Sequence, residues 1–336
     1  MNRSMQTSDN RAMRAHPFSR LTPDFITQAV ESLGYAADGR LLALNSYENR
    51  VYQVGIDDAA PVIAKFYRPG RWTRDAIQEE HDFVVELASA DIPVVAPLEC
   101  NGQTLHDAAP FHFAVYPRQG GRWPELQTAD DRRWMGRFIG RIHAVGRRRR
   151  FQHRLGINIR HWARESRQYL LSQHWIPDHL LMAYESVTDE LLQRMEQQWS
   201  LRTARTMRLH GDCHLGNVLW TDAGPHFVDF DDCMTGPAVQ DIWMLLSGPR
   251  MERAAQLHEI LDGYTQFTEF DRGELALIEI LRTLRLMHYA AWLARRWQDP
   301  AFPPAFPWFG ENKFWEQHVL DLREQLAALD EDPLSA

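Results

Sequence analysis

Cysteine is scarce in this chain of 336 residues. The three present, Cys100, Cys213 and Cys233, lie far apart and show no C-x-x-C spacing. That argues against a disulfide framework or a thiolate zinc site and fits a reducing compartment. Cys213 and Cys233 read as small packing residues. No uncharged stretch reaches the roughly 18 residues of a membrane span, and the basic N-terminus lacks the apolar core of a secretion signal. The expectation is a cytoplasmic protein with no membrane partner. A surplus of positive charge is missing too. Lys and Arg number 37 against 45 Asp and Glu, for a net charge of −8, which gives no case for nucleic-acid binding. The arginine run at 147–150 is the local exception and reads as a solvated helix end or part of a binding surface.

What is present is an ordinary globular composition, 44% hydrophobic and 24% charged, long enough for two lobes. Residues 1–20 are polar, Arg-rich and aperiodic, and are expected to form a flexible tail. Thr22-Pro23-Asp24 then opens a helix, with a Thr cap, Pro at the first position and an acid in the first turn. Stretches 41–44, 51–54 and 62–66 read as strands, 73–90 as a helix with Ile77, Phe83, Val84 and Leu87 on its apolar side, and 94–98 and 111–116 as two more strands. Pro117-Arg118-Gln119-Gly120-Gly121 marks a boundary. Beyond it the pattern is mainly helical, with an apolar stripe through Met135, Ile139 and Ile142. Gly136 and Gly140 in that stripe leave room for another backbone. Helices are expected over 161–173, 179–199, from 239 to 246, 275–297 and 314–329, with an aromatic, Pro-rich loop at 301–308. The reading is an α+β fold with a β-rich N-lobe at 21–116 and a mainly helical C-lobe at 117–336.

The chemistry is concentrated in Arg208-Leu209-His210-Gly211-Asp212-Cys213-His214-Leu215-Gly216-Asn217-Val218-Leu219-Trp220 and the following Phe227-Val228-Asp229. Residues 218–220 and 226–228 read as a hairpin across 221–225. Closing it brings Asp212 and Asn217 beside Asp229, so that a base, an amide oxygen and a metal-binding carboxylate converge. This is the arrangement phosphoryl transfer needs, with the H-x-D-x-x-x-x-N spacing of a catalytic loop and a D-F-x strand end. Asp212 is the candidate base; Asn217 and Asp229 are the candidate metal ligands. Lys65, on the third strand in Val62-Ile63-Ala64-Lys65, is the candidate partner of nucleotide phosphates. Its own partner is expected at Glu80 on the next helix, with Glu79 as runner-up. There is no G-x-G-x-x-G loop. Residues 45–50 stand in its place, where Ser46, Asn49 and Arg50 could offer donors to phosphate. Val115 and Tyr116 are the expected hinge at the adenine edge. Asp231 and Asp232 add negative charge near the site.

The His-Gly-Asp-x-His form resembles the aminoglycoside phosphotransferase and choline kinase branch of the kinase-like fold. Across roughly residues 20–325 the chain resembles more narrowly the bacterial serine/threonine protein kinases of that branch. The matching stretches are Leu44-Asn45-Ser46-Tyr47-Glu48-Asn49-Arg50-Val51-Tyr52, Lys65-Phe66-Tyr67-Arg68-Pro69, His210-Gly211-Asp212-Cys213-His214, Gly236-Pro237-Ala238-Val239-Gln240-Asp241 and Trp292-Leu293-Ala294-Arg295-Arg296-Trp297. The resemblance implies a bilobal kinase fold, ATP and Mg2+ as cofactors, Ser or Thr hydroxyls of proteins as acceptors, autophosphorylation and a place in stress response. It also implies that Asp241 braces the catalytic loop, against the plainer reading of a helix cap. The motif alone equally admits a small-molecule hydroxyl kinase. Eleven residues separate Asp229 from Asp241, with Thr235 the sole hydroxyl among them, so a long phosphorylated activation loop has no room.

Overall fold

The computed structural model describes residues 16–200 and 204–335. Residues 1–15 of the expected tail lie outside the described residues, but the end of that stretch is no tail. Residues 17–20 form a turn, and Phe18, buried, stacks on Phe111 at 5.8 Å. One aromatic ring removed from water outweighs the polar residues around it.

The Thr22 hydroxyl accepts the Phe25 N–H and opens α1 (Pro23–Glu31). Then follow β1 (Ala37–Leu44), β2 (Arg50–Ile56), β3 (Ala59–Phe66), α2 (Arg74–Ser89), β4 (His106–Ala108) and β5 (Phe111–Pro117). They build one antiparallel sheet in the order β1-β2-β3-β5-β4. The strand expected at 94–98 is not in it. Val94 makes a single bridge to Phe227, the Val95 N–H donates to the Phe227 carbonyl at 3.1 Å, and the Leu98 N–H donates to the Val115 carbonyl at 2.7 Å. That apolar run joins the lobes, and the true fourth strand is too short and polar to show a period.

Phe18, Ile26, Val54, Phe66 and Phe111 form the core under the sheet. The apolar side of α2 does not join it. Phe83, Val84 and Leu87 pack into the larger core that fills the C-lobe, where Phe83 meets Phe151 and Phe230 edge-on.

The C-lobe begins with α3 (Ala129–Gly146), whose first turn is closed by a Thr128–Asp131 capping box. A π-helical turn at Arg160–Arg164 leads into α4 (Glu165–Ser172), and α5 (Leu181–Ser200) follows. Two small ribbons come next, with β6 (Thr206–Leu209) paired to β9 (Met234–Pro237) around the hairpin of β7 (Val218–Thr221) and β8 (Gly224–Phe227). The hairpin turn is tighter than expected, because Gly224 and Pro225 already belong to β8. The helix expected over 239–246 is the single turn α6 (Gln240–Trp243). It is followed by α7 (Arg250–Tyr264), unforeseen because only Leu257, Ile260, Leu261, Gly263 and Tyr264, all in its second half, are buried. α8 (Ile278–Arg296) is long and largely buried, α9 (Phe302–Ala305) turns the expected Pro-rich loop into a helical turn, and α10 (Asn312–Ala328) closes the chain. Pro303 and Pro304 fit there because a first turn needs no N–H from them. Gly136 and Gly140 do bring backbones together. A Cβ at either would fall 1.9 Å from the Ile260 carbonyl oxygen or 2.6 Å from that of Tyr264, so α3 and α7 pack main chain to main chain.

Candidate active site

The loop from β6 to β7 is held from several sides. The His210 Nε2 lies 2.9 Å from the Val228 carbonyl, and its ring packs on Phe230 at 4.4 Å. Gly211 has φ +86°, and a Cβ there would meet the Asp232 carbonyl oxygen at 2.2 Å, so no other residue fits where the two backbones come so close. Asp241 makes no cap to its own helix. Its two carboxylate oxygens accept the backbone N–H groups of His210 and Gly211, each at 2.8 Å. His143 on α3 bonds the same carboxylate at 3.0 Å and is bonded in turn by the Tyr264 hydroxyl at 3.0 Å. The Gln240 amide donates to the Gly211 carbonyl at 2.9 Å. The network is buried and closed, which fixes the loop before any ligand arrives.

Between the sheet and the β7–β8 hairpin lies a cleft of about 630 Å3, lined on one wall by Lys65 and Glu80 and on the other by Asn217, Asp229 and Phe230. The Lys65 Nζ sits 3.3 Å from Glu80, 3.3 Å from Asp229 and 3.4 Å from Asp231. Burial alone would strip this ammonium of its charge; Asp231, Glu80 and Asp229 outweigh burial and hold its pKa well above the usual lysine value. Glu80 is also gripped by Arg154 at 2.7 Å. Glu79 faces elsewhere and accepts the backbone N–H groups of Gln152, His153 and Arg154 at 2.6–3.0 Å. Asp229 adopts the left-handed conformation, φ 59° and ψ 61°, which turns its half-exposed carboxylate toward the cleft.

Asp212 stands at the other end of the loop. Arg285 on α8 donates to its Oδ1 at 2.6 Å, and His214 Nε2 lies 3.4 Å from Oδ2. Burial pushes this carboxyl up, but His214 and Arg285 prevail and hold it below the usual carboxylate range. The Asn217 amide donates to the Asp212 carbonyl at 3.0 Å, which turns the other atom of its amide, the oxygen, free for a ligand. Asn217 and Asp229 therefore offer only oxygen donors on one wall, a set suited to a hard divalent cation bound jointly with phosphate oxygens. Among the described residues no group of three or more His, Cys, Asp or Glu is placed to hold a metal by itself.

Three expectations are revised by the geometry. Asn49 is buried, its side-chain oxygen accepting the Arg68 N–H at 3.1 Å, and the Arg50 guanidinium pairs with Asp299 at 2.8 Å. Of the three residues expected to meet phosphate, only Ser46 lines the cleft. The loop instead forms a clasp to the C-lobe. The Glu48 carboxylate accepts from Trp292 Nε1 at 2.6 Å and Arg296 at 2.9 Å and pairs with Arg68 at 2.9 Å, while Tyr47 packs on Phe302 and Phe306. Val115 is not a hinge residue. It is buried, its carbonyl is taken by Leu98, and β5 runs on, so the cleft edge is made by Tyr116, Pro117, Arg118 and Gln119. Arg285, Arg154, Arg71 and His143 were not foreseen, since their roles depend on partners far away in the sequence.

Comparison with known proteins agrees with this geometry. The family model described as the phosphotransferase enzyme family, APH, matches residues 40–278. Stress response kinase A of Escherichia coli (strain K12) is 46% identical over 320 residues, which cover 95% of this chain and 97% of that protein. A protein of Salmonella typhimurium (strain LT2) named serine/threonine protein kinase RdoA is 45% identical over the same span. Among solved structures, the amicoumacin kinase hAmiN in complex with AMP-PNP, Ca2+ and Ami superposes with a TM-score of 0.70 at 21% identity, covering 92% of this chain and 94% of that one. A microcompartment-associated aminopropanol kinase gives 0.65 at 19% identity, covering 91% and 96%. The fold is the bilobal α+β architecture of these kinases. No helix among the described residues is long and apolar enough to cross a membrane. With the family model spanning most of its length and relatives this similar, the chain belongs to the phosphotransferase enzyme family and is itself a phosphotransferase.

Proposed function

We propose that the protein is an ATP- and Mg2+-dependent serine/threonine protein kinase that acts in the cytoplasm, phosphorylates itself as well as other proteins and serves a stress response. The observation that carries the catalytic part is the convergence on one cleft of Lys65 paired to Glu80, of Asp229, and of the Asp212–Asn217 loop. The protein acceptor is supported by the name of the Salmonella relative; the small-molecule kinases with solved structures share less than 25% identity and speak for the fold alone.

Within this reading Lys65 holds nucleotide phosphates, Glu80 orients it, and Tyr116 with the residues after it borders the adenine. Ser46 approaches the phosphates from the roof. Asn217 and Asp229 hold a divalent cation, which supplies charge neutralisation at the phosphates when bound. Asp212, kept ionised by its neighbours, accepts a hydrogen bond from the acceptor hydroxyl, aligns its oxygen, and takes its proton as that oxygen bonds to the γ-phosphorus and the bond from phosphorus to the leaving oxygen of ADP breaks. Arg285 must share Asp212 with that hydroxyl.

The test is to incubate the purified protein with labelled ATP and Mg2+, a generic protein substrate and a set of small hydroxyl compounds. Acid-stable label in protein is expected. It should vanish with chelator and fall by about 10² to 10⁴ in Asp212→Asn with nucleotide binding kept. Label confined to an amino alcohol, sugar or aminoglycoside would replace this reading with that of a small-molecule kinase.

A further inference from the structure

A second cavity, of about 450 Å3, adjoins the clasp. Asn45 and Ser46, beside Glu48 in the chain, line the nucleotide cleft, whereas the Glu48 partners Arg71, Trp292 and Arg296 line this cavity. The clasp is thus a wall between two compartments. The second lies beside the catalytic machinery: it is bordered by Asp232, three residues past Asp229, and by His288, one helical turn along α8 from the Arg285 that grips Asp212.

Its charges do not balance. Arg71 pairs with Asp231 and Asp232, Arg296 with Glu48, and Glu165 with Arg160 and His161. Arg295 alone among the lining arginines has no carboxylate of the described residues within ion-pair distance. It donates to the Glu165 carbonyl at 3.2 Å, lies over the Tyr169 ring at 4.8 Å, and is half-buried. A half-buried guanidinium with no carboxylate paired to it, and with Glu165 acting on it only at longer range, is a standing electrostatic cost. His288 adds a second unmet demand. Its ring is stacked on Trp162 at 5.0 Å, and its Nδ1 is buried with no hydrogen-bond partner. Burial first, and then the charges of His161, Arg295, Arg71 and Arg285, together lower its pKa to about 3. The imidazole therefore stays neutral in a positive field, with one nitrogen able to donate.

We propose that this cavity is a subsite of the acceptor and takes a carboxylate carried by the acceptor polypeptide, near the phosphorylated hydroxyl and held by Arg295 and His288. This rests on the protein-kinase reading above. A carboxylate there would give Arg295 a direct counter-ion and meet the neutral His288 ring that lines the cavity. A cationic acceptor would meet the same field as repulsion.

The experiment uses the full-length protein with ATP and Mg2+. The substrates are peptides that share one Ser and differ only in Asp, Ala or Lys at the flanking positions. The acidic peptide should exceed the lysine peptide in kcat/KM by about tenfold or more, expressed mainly in KM, the size of one charge-assisted hydrogen bond. Arg295→Gln should level the series and Arg295→Glu invert it, with retained affinity for an ATP analogue as the sign that each variant is folded. Inorganic phosphate should compete with the acidic peptide. If it instead raises the rate on the alanine peptide, the occupant is free phosphate and the assignment to a polypeptide carboxylate falls. Equal rates across the wild-type series, or a preference for lysine, overturn the proposal and leave the protein-kinase reading standing. Label that reaches an amino alcohol and no peptide overturns both.

Discussion

Glu79 and Glu80 are neighbours in the sequence and point in different directions on α2. The sequence favours Glu80 because it lies seven residues before Leu87, on the same side of the helix. What the sequence does not show is that Glu79 has a role of its own, accepting three consecutive N–H groups. Glu80→Gln leaves the buried Lys65 and Arg154 short of counter-charge, a loss of about 3–5 kcal/mol for a broken buried pair. A lower melting temperature and a rise in KM for ATP of about tenfold or more should follow. Glu79→Gln weakens only backbone caps, about 1 kcal/mol, and should leave KM for ATP near the wild-type value. Equal shifts of KM in both variants would refute the pairing. Lysine itself carries information: the chain has only Lys65 and Lys313, and uses arginine for its other side-chain cations. A compact ammonium persists at 65, where two or three carboxylates approach from different sides and a planar fork could not serve them all. That Lys65 and Asp229 would meet in one cleft beside the Asp212–Asn217 loop was legible because short spacing and strand position define these residues. Arg285 and Arg71 were not, because their carboxylates lie 73 and about 160 residues away.

At the scale of elements, the loop at residues 45–50 is the clearest lesson. Asn49 and Arg50 read as phosphate donors, yet Asn49 accepts the Arg68 N–H, and Arg50, with Glu48, is committed to the clasp with α8 and the turn that follows it. A sequence cannot say whether a donor faces a ligand or another lobe. The consequence is testable. Glu48→Gln keeps the shape but leaves Arg68, Arg71 and Arg296 facing one another. KM for ATP should rise by about tenfold, equivalent to about 1.4 kcal/mol, because the roof of the cleft loses its anchor. In a cycle with Arg296→Gln the two changes should couple by about 1 kcal/mol or more; additive effects would mean that the loop is held by something else. Helices with a strong apolar period, α1, α2, α3, α8 and α10, were foreseen. α7, apolar in only one half, and α9, a single proline-bearing turn, carry too little pattern to be seen.

At the scale of the molecule, the two lobes were legible from the change of period near Pro117, and their manner of joining was not. α2 sits in the N-lobe by sequence and in the C-lobe core by packing, since Phe83, Val84 and Leu87 belong to the same buried cluster as Ile139 and Phe230. The 94–98 segment and the clasp add further ties. Enzyme activity, helix content and the exposure of N-lobe tryptophan should therefore be lost together in one urea transition. Two separated transitions would show lobes that stand alone. With so short a segment between Asp229 and Asp241, phosphatase treatment should leave activity intact, and its abolition would reveal a priming step.

The seating of α2 reaches beyond stability. In a machine whose Lys65–Glu80 contact is part of its folding core, a resting form made by swinging that helix away would have to break the core to exist. Such a protein has no cheap off position. Its output would follow the number of molecules in the cell and the supply of nucleotide and acceptor, which moves its control from conformation to synthesis and proteolysis.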